Sequence, residues 1–165
     1  MKNKHVFALL VLGGILIFSM CSKDDDKTPP YVGQWETETF EMMGAFAMMD
    51  VDFAESNILA EVALMVAANT YVNILGVKGN VAEKSDQILD ISLTDLGQWD
   101  AASNDYDWKN RTTEPAEFEA IYQQMGLSQM IPKDFEAEYS VVGDELDLIF
   151  EVAPSVTDTI NLFRK

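Results

Sequence analysis

The residues of this chain that could do chemistry are almost all carboxylates. Its 165 residues hold 28 Asp and Glu against 11 Lys and Arg, with one His and one Cys. His5 and Cys21 both lie near the start, so the stretch beyond them has neither imidazole nor thiol. That excludes from it a Ser-His-Asp or Cys-His nucleophile and a His/Cys zinc site. Catalysis there would rest on carboxylates, Tyr, Lys or Arg. Pairs such as Asp50 with Asp52, or Asp144 with Asp147, have the residue types of a glycoside hydrolase. Among 28 acids such pairs arise by chance, and none is singled out. The segment DAASNDYDW gathers Asp100, Asn104, Asp105 and Asp107, hard oxygen donors of the kind calcium takes. It lacks the spacing, the glycine and the final Glu of an EF-hand loop, so a solvated acidic loop is the stronger reading. The expectation is a protein that is not an enzyme and needs no metal or cofactor.

The net charge is −17, and two of the few lysines, Lys2 and Lys4, sit in the first four residues. So acidic a surface repels phosphate backbones, which argues against nucleic-acid partners. The acids are interspersed with apolar residues along the chain, the pattern of a folded domain with a negative surface rather than of an acidic tail.

Residues 1–5, MKNKH, are basic, and residues 6–20, VFALLVLGGILIFSM, are apolar apart from Ser19. Fifteen residues are short for a membrane-spanning helix, which needs about 20. A basic start followed by a short apolar core is the pattern of an export signal, here residues 1–20. With Cys21 next, the segment resembles a bacterial lipoprotein signal, although Phe18 and Met20 stand where the usual lipobox has Leu and Gly or Ala. The resemblance implies that Cys21 is acylated and becomes the first residue. Ser22, Lys23, Asp24, Asp25 and Asp26 resemble the acidic signal that sends Bacteroidota lipoproteins to the outer face of the outer membrane. The expected location is therefore the outer membrane, exposed at the cell surface, with the membrane as a partner through the lipid anchor. Residues 21–30 read as the lipidated tether, which Pro29 and Pro30 stiffen at its end.

The domain that must position any site spans 31–165. Its dominant signal is period-two alternation, the mark of half-buried strands. Segments 34–41, 45–53, 58–67, 70–79, 87–94, 135–142, 145–152 and 157–165 give eight expected strands. Short connections are expected at 54–57, 79–86, 143–144 and 153–156, and a long polar loop at 98–112. Segment 55–68 also has helix formers at helical spacing; strand is favoured because DFAESN reads as a hairpin turn. One helix stands out at 114–126, between strands five and six. There Phe118, Ile121, Tyr122 and Met125 fall on one face, with Pro115 in the first turn and Gly126 at the end. The fold class is all-β. Eight antiparallel strands joined by hairpins are satisfied by an up-and-down barrel, which removes both sheet edges.

YVGQW at 31–35 resembles the Gly-x-Trp start of the lipocalin (calycin) group, and YSVVGDELDLIF at 139–150 resembles the paired strands of lipocalin-like domains in Bacteroidota lipoproteins. The resemblance implies a lipocalin-like barrel closed at one end by Trp35 after Gly33, with Arg164 lying across the indole as a cation–π partner. These residues would be structural. The expected function is non-catalytic binding of a small apolar or amphipathic molecule. The alternative is a surface interaction module, packed solid, that meets a protein or glycan. Met42, Met43, Met48 and Met49 cluster near the first hairpin, and Met is adaptable; Met48 and Met49 are candidate ligand contacts, although core packing is the commoner role. Cys21→Ala is expected to release the protein from membranes into the soluble fraction. Continued pelleting of that variant with the outer membrane would count against acylation.

Overall fold

The computed structural model describes residues 28–42, 44–68 and 70–165. The readings made on residues 1–27, including the export signal, Cys21 and Ser22–Asp26, lie outside the described residues, as does Met43. The described chain runs β1 (Gly33–Thr37), β2 (Phe40–Met42), β3 (Ala45–Phe53), β4 (Asn57–Ala67), β5 (Thr70–Ser85), β6 (Ile88–Asp100), β7 (Asp105–Asn110), α1 (Pro115–Gln124), β8 (Asp134–Val142), β9 (Glu145–Ala153) and β10 (Val156–Arg164). Eight of these strands form a closed antiparallel barrel in the order β1-β10-β9-β8-β6-β5-β4-β3 and back to β1. The other two are short: β2 extends the hairpin with β3, and β7 pairs with β6.

The alternation seen in the sequence becomes the two faces of the wall. Val51 and Phe53 on β3, Ala60 and Val62 on β4, Leu89 and Ile91 on β6, and Leu146, Leu148 and Phe150 on β9 are buried. Segment 57–67 is a strand, and its apolar residues pair in register with β3 and β5. Three expectations are corrected. The strand expected at 34–41 is two strands, because Glu38 and Thr39 leave the ladder. The connection expected at 79–86 is mostly strand: β5 runs to Ser85, Val81 is buried, and the turn lies at Asp86 and Gln87, the latter with φ 66°. The loop expected at 98–112 is largely a hairpin, because β6 continues to Asp100 and β7 returns along it.

Glycine explains how β7 holds to the barrel's outer face. Trp108 faces Gly97 across the β6–β7 ladder, and Gly97 in turn faces Gly76 on β5. A Cβ at Gly76 would stand 2.5 Å from the Trp108 ring, and one at Gly97 would stand 2.9 Å from it. The indole thus lies directly on bare backbone. Lys78 adds its ammonium 3.6 Å from the ring centroid. Beside it, burial raises the Tyr106 phenol far above its usual range, and the carboxylates Glu61 and Asp50 add to the effect.

Helix α1 begins with Pro115, carries Glu117 in its first turn and buries Phe118, Ile121 and Tyr122. It is followed by Gly126 at φ 70° and a short 3-10 turn, Leu127–Gln129. The interior divides into two apolar clusters. One fills the end near β1 and includes Tyr31, Trp35, Phe53, Leu89, Tyr139 and Leu162. The other packs α1 and Leu127 against Met42, Ala47, Val62, Leu75, Leu93 and Leu96.

The first cluster is the closed end of the barrel. Trp35 is fully buried, and its indole N–H donates to the Tyr31 carbonyl at 2.9 Å. Tyr31 meets Phe53 and Tyr139 edge-on at 6.0 and 5.3 Å between ring centroids. The Tyr139 hydroxyl donates to Glu83 at 3.0 Å, and its pKa is pushed up to about 12, chiefly by burial. Arg164 lies 4.5 Å from the Trp35 ring centroid and over Gly33, which has φ 145° and no side chain to obstruct it. Trp35→Ala is expected to cost about 3–5 kcal/mol in chemical denaturation, the range for deleting a core aromatic. A near-neutral change would mean that the plug does not hold the barrel together.

Candidate functional site

The two apolar clusters do not meet seamlessly. Between them lies a cavity of about 450 Å³. Its walls come from both: Val51, Phe53, Ala60, Ile91, Leu148, Phe150 and Leu162 from the first, and Met42, Val62, Leu75, Leu93 and Leu127 from the second. Protein interiors ordinarily leave few voids larger than a water molecule, so a hollow of this size with apolar walls is a distinct feature.

The position of its mouth follows from how the barrel closes. β10 pairs with β9 along its whole length but meets β1 only from Leu162 to Arg164. Beyond Thr37 the chain turns away from β10 and continues as β2, which stays with β3. The edge of β10 from Val156 to Asn161 therefore has no strand partner on that side among the described residues. Both lips of this gap line the cavity: Thr37, Glu38, Thr39 and Phe40 on one side, and Asp158, Thr159, Ile160 and Asn161 on the other. Glu38, Thr39, Asp158 and Thr159 are exposed, so the cavity reaches solvent here.

Across the barrel a second break is covered. β8 pairs with β6 only from Ser92 back to Ile88, and above that point β6 pairs with β7 instead. The segment after α1 fills the space, and its Leu127, Met130 and Ile131 line the cavity. It is well tied. The Tyr122 hydroxyl donates to the Ile131 carbonyl at 2.6 Å, the Leu93 N–H donates to the Lys133 carbonyl at 2.8 Å, and Lys133 pairs with Glu119. Arg111 grips Asp134 with two parallel hydrogen bonds of 2.7 and 2.6 Å. The Arg111 guanidinium and the Ser92 hydroxyl hold the Asp134 carboxyl down to about 2.

The candidate residues fall in different places. Met49 and Met42 line the cavity; Met48, the next residue along β3 from Met49, projects to the opposite face and does not. Trp35 and Arg164 sit at the closed end, away from the cavity lining. Asp50 lies on the outer face, 2.6 Å from Lys165, and Asp52 is exposed on the same face. Asp144 occupies the β8–β9 turn, and Asp147 accepts a hydrogen bond from the Asn161 amide at 2.6 Å. Asp100 caps the β6–β7 turn by accepting from the Ala102 N–H at 2.9 Å, and Asp107 pairs with Lys109 at 2.9 Å. Among the described residues no three His, Cys, Asp or Glu side chains are gathered in a metal-binding arrangement. Sequence reasoning missed most of the lining and the mouth. The inward alternation of β3, β4 and β9 was a usable signal for the walls, but nothing local marks where β10 loses its partner.

No Lys or Arg of the described residues lines the cavity. The cations in the described residues are committed elsewhere: Lys78 to Trp108, Lys84 to Glu136, Lys109 to Asp107, Arg111 to Asp134, Lys133 to Glu119, Arg164 to Trp35 and Lys165 to Asp50.

No family model matches the chain, and no curated protein matches it.

The Arg111–Asp134 pair sets a pH dependence. Because folding lowers the Asp134 pKa from 3.8 to about 2, the pair stabilises fully above the unfolded value and fades as pH falls through the folded one. The pair is partly exposed, so Arg111→Ala is expected to cost no more than about 1 kcal/mol at neutral pH. The difference from wild type should shrink on acidification from about pH 4 to about pH 2. A difference in urea midpoint that stays constant across that window would show that Asp134 does not depend on Arg111.

Proposed function

We propose that this chain is an outer-membrane lipoprotein, anchored through an acylated Cys21 and exposed at the cell surface, whose lipocalin-like barrel holds a small apolar or amphipathic molecule without altering it. The observation that carries the binding reading is the cavity of about 450 Å³. Its volume falls within the range of roughly 300–1,000 Å³ typical of small-molecule sites, and its walls are apolar with a few polar groups at the mouth. The chemistry of the lining supports binding without reaction. The carboxylates along it, Glu38, Glu145, Asp147 and Asp158, form no ion pair with a Lys or Arg of the described residues. The interaction-module reading requires a barrel packed solid, and a hollow of this size argues against it.

For the anchor the support is sequence alone: an apolar run ending at the single cysteine, followed by Ser22–Asp26. Each acyl methylene buried in a bilayer contributes about 0.8 kcal/mol, so two or three chains hold such a domain firmly.

Ala60 is buried on the cavity wall, so Ala60→Phe places a ring in the hollow. The neutral fluorophore N-phenyl-1-naphthylamine is expected to bind the wild type saturably at one site. The variant should keep its β-sheet circular dichroism and bind the probe at least about tenfold more weakly, a change of about 1.4 kcal/mol. Equal binding by both proteins, or no saturable binding by the wild type, would remove the ligand-binding reading.

A further inference from the structure

Resting on the ligand-binding reading, we infer that the guest of this barrel carries a neutral or positively charged head group, and that carboxylate- and phosphate-headed amphipaths are excluded. The cavity itself is apolar, so its walls select for a chain or ring and say nothing about a head group. Selection falls to the mouth. There the lining supplies the carboxylates Glu38 and Asp158 and no Lys or Arg of the described residues; Glu145 and Asp147 alternate with the buried Leu146 and Leu148 and stand on the outer face of β9.

Asp158 is the best placed of them. It pairs across the ladder with Phe150, and it shares the inward register of β10 with Ile160 and Leu162. A molecule whose tail lies against Leu162 and Ile160 therefore has its head beside Asp158. Thr39 and Thr159 stand on the two lips and supply neutral donors and acceptors. Thr37 accepts from the Met49 N–H at 2.9 Å, which leaves its hydroxyl hydrogen free to donate.

An anionic head seated there would face like charges with no counter-charge among the described residues. The nearby cations cannot be recruited cheaply, because every Lys and Arg of the described residues is held against an acid or an aromatic ring. A cationic head meets the opposite situation: one carboxylate beside it and the negative potential of the whole protein drawing it in. Neutral hydroxyl-bearing heads gain the Thr groups and meet no repulsion.

The test uses three amphipaths with the same twelve-carbon chain, each below its micelle concentration: dodecyltrimethylammonium, dodecanol and dodecanoate. Each competes for the N-phenyl-1-naphthylamine site at low salt, where charge effects are least screened. The ammonium and the alcohol are expected to displace the probe, with the ammonium at least tenfold tighter than dodecanoate. Asp158→Asn should narrow that gap several-fold, and Asp158→Lys should reverse it. Glu117→Gln removes an exposed charge of the same sign outside the lining and should change the gap far less. Dodecanoate binding as tightly as the ammonium overturns the head-group inference while leaving the cavity reading intact. An effect of Asp158→Asn no larger than that of Glu117→Gln also overturns it, since the preference would then belong to the whole surface. Failure of the wild type to take up the probe at all removes both readings.

Discussion

The structure depends on one short seam. Trp35, Glu36 and Thr37 pair with Arg164, Phe163 and Leu162, and the Lys165 N–H extends the seam to the Gln34 carbonyl at 3.1 Å. An open sheet would leave the edges of β1 and β10 unpaired, exposing backbone groups to solvent or to another chain. The seam removes that edge where it matters most, around a ring of buried aromatics. Its few hydrogen bonds are reinforced from both sides. Trp35 and Leu162 fill the interior beneath it, and Arg164 lies across the indole. Pairing the first strand with the last closes the longest loop in the barrel and is the most demanding contact in loop-closure entropy, so side-chain burial must carry what three residue pairs alone cannot.

The shortness of the seam also makes the site. Had β1 continued along β10 past Thr37, the wall would be complete and the interior sealed. Glu38 and Thr39 leave the ladder instead, and the chain resumes as β2 against β3 alone. A similar break opposite, where β6 changes partner from β8 to β7, is filled by the segment that follows α1. One break is therefore plugged and the other left open. The cavity lies between two clusters that each pack well but have different geometry: a ring of strands around aromatics below, and a helix against a curved sheet above.

Charge is organised around the same architecture. The rare cations are spent on fastening: Arg111 and Lys133 hold the segment that lines the cavity, Arg164 covers the plug, and Lys78 covers Trp108. The abundant carboxylates cover the remaining surface, including the mouth. The Gly76–Gly97 platform beneath Trp108 shows another use of backbone, letting a large aromatic bind β7 to the outer wall without a second layer of structure.

Reading the sequence alone was enough to establish the class of the fold. Alternation at period two selects strands, and residues such as Leu89, Ile91 and Leu93 declare an inner face with little dependence on their distant neighbours. The helix was equally legible, from Phe118, Ile121 and Tyr122 at helical spacing behind Pro115. The β7 hairpin was not, because polar residues surround Tyr106 and Trp108, and because what holds them is a pair of glycines on other strands. The cavity lay further still from local signals. No residue of β10 records that its neighbour departs after Thr37, and Ala60 reads identically whether it faces a packed core or a hollow. Which strands pair, and where pairing stops, is decided by contacts between residues far apart in the chain. The site is made of those stops, so only the tertiary structure could place it.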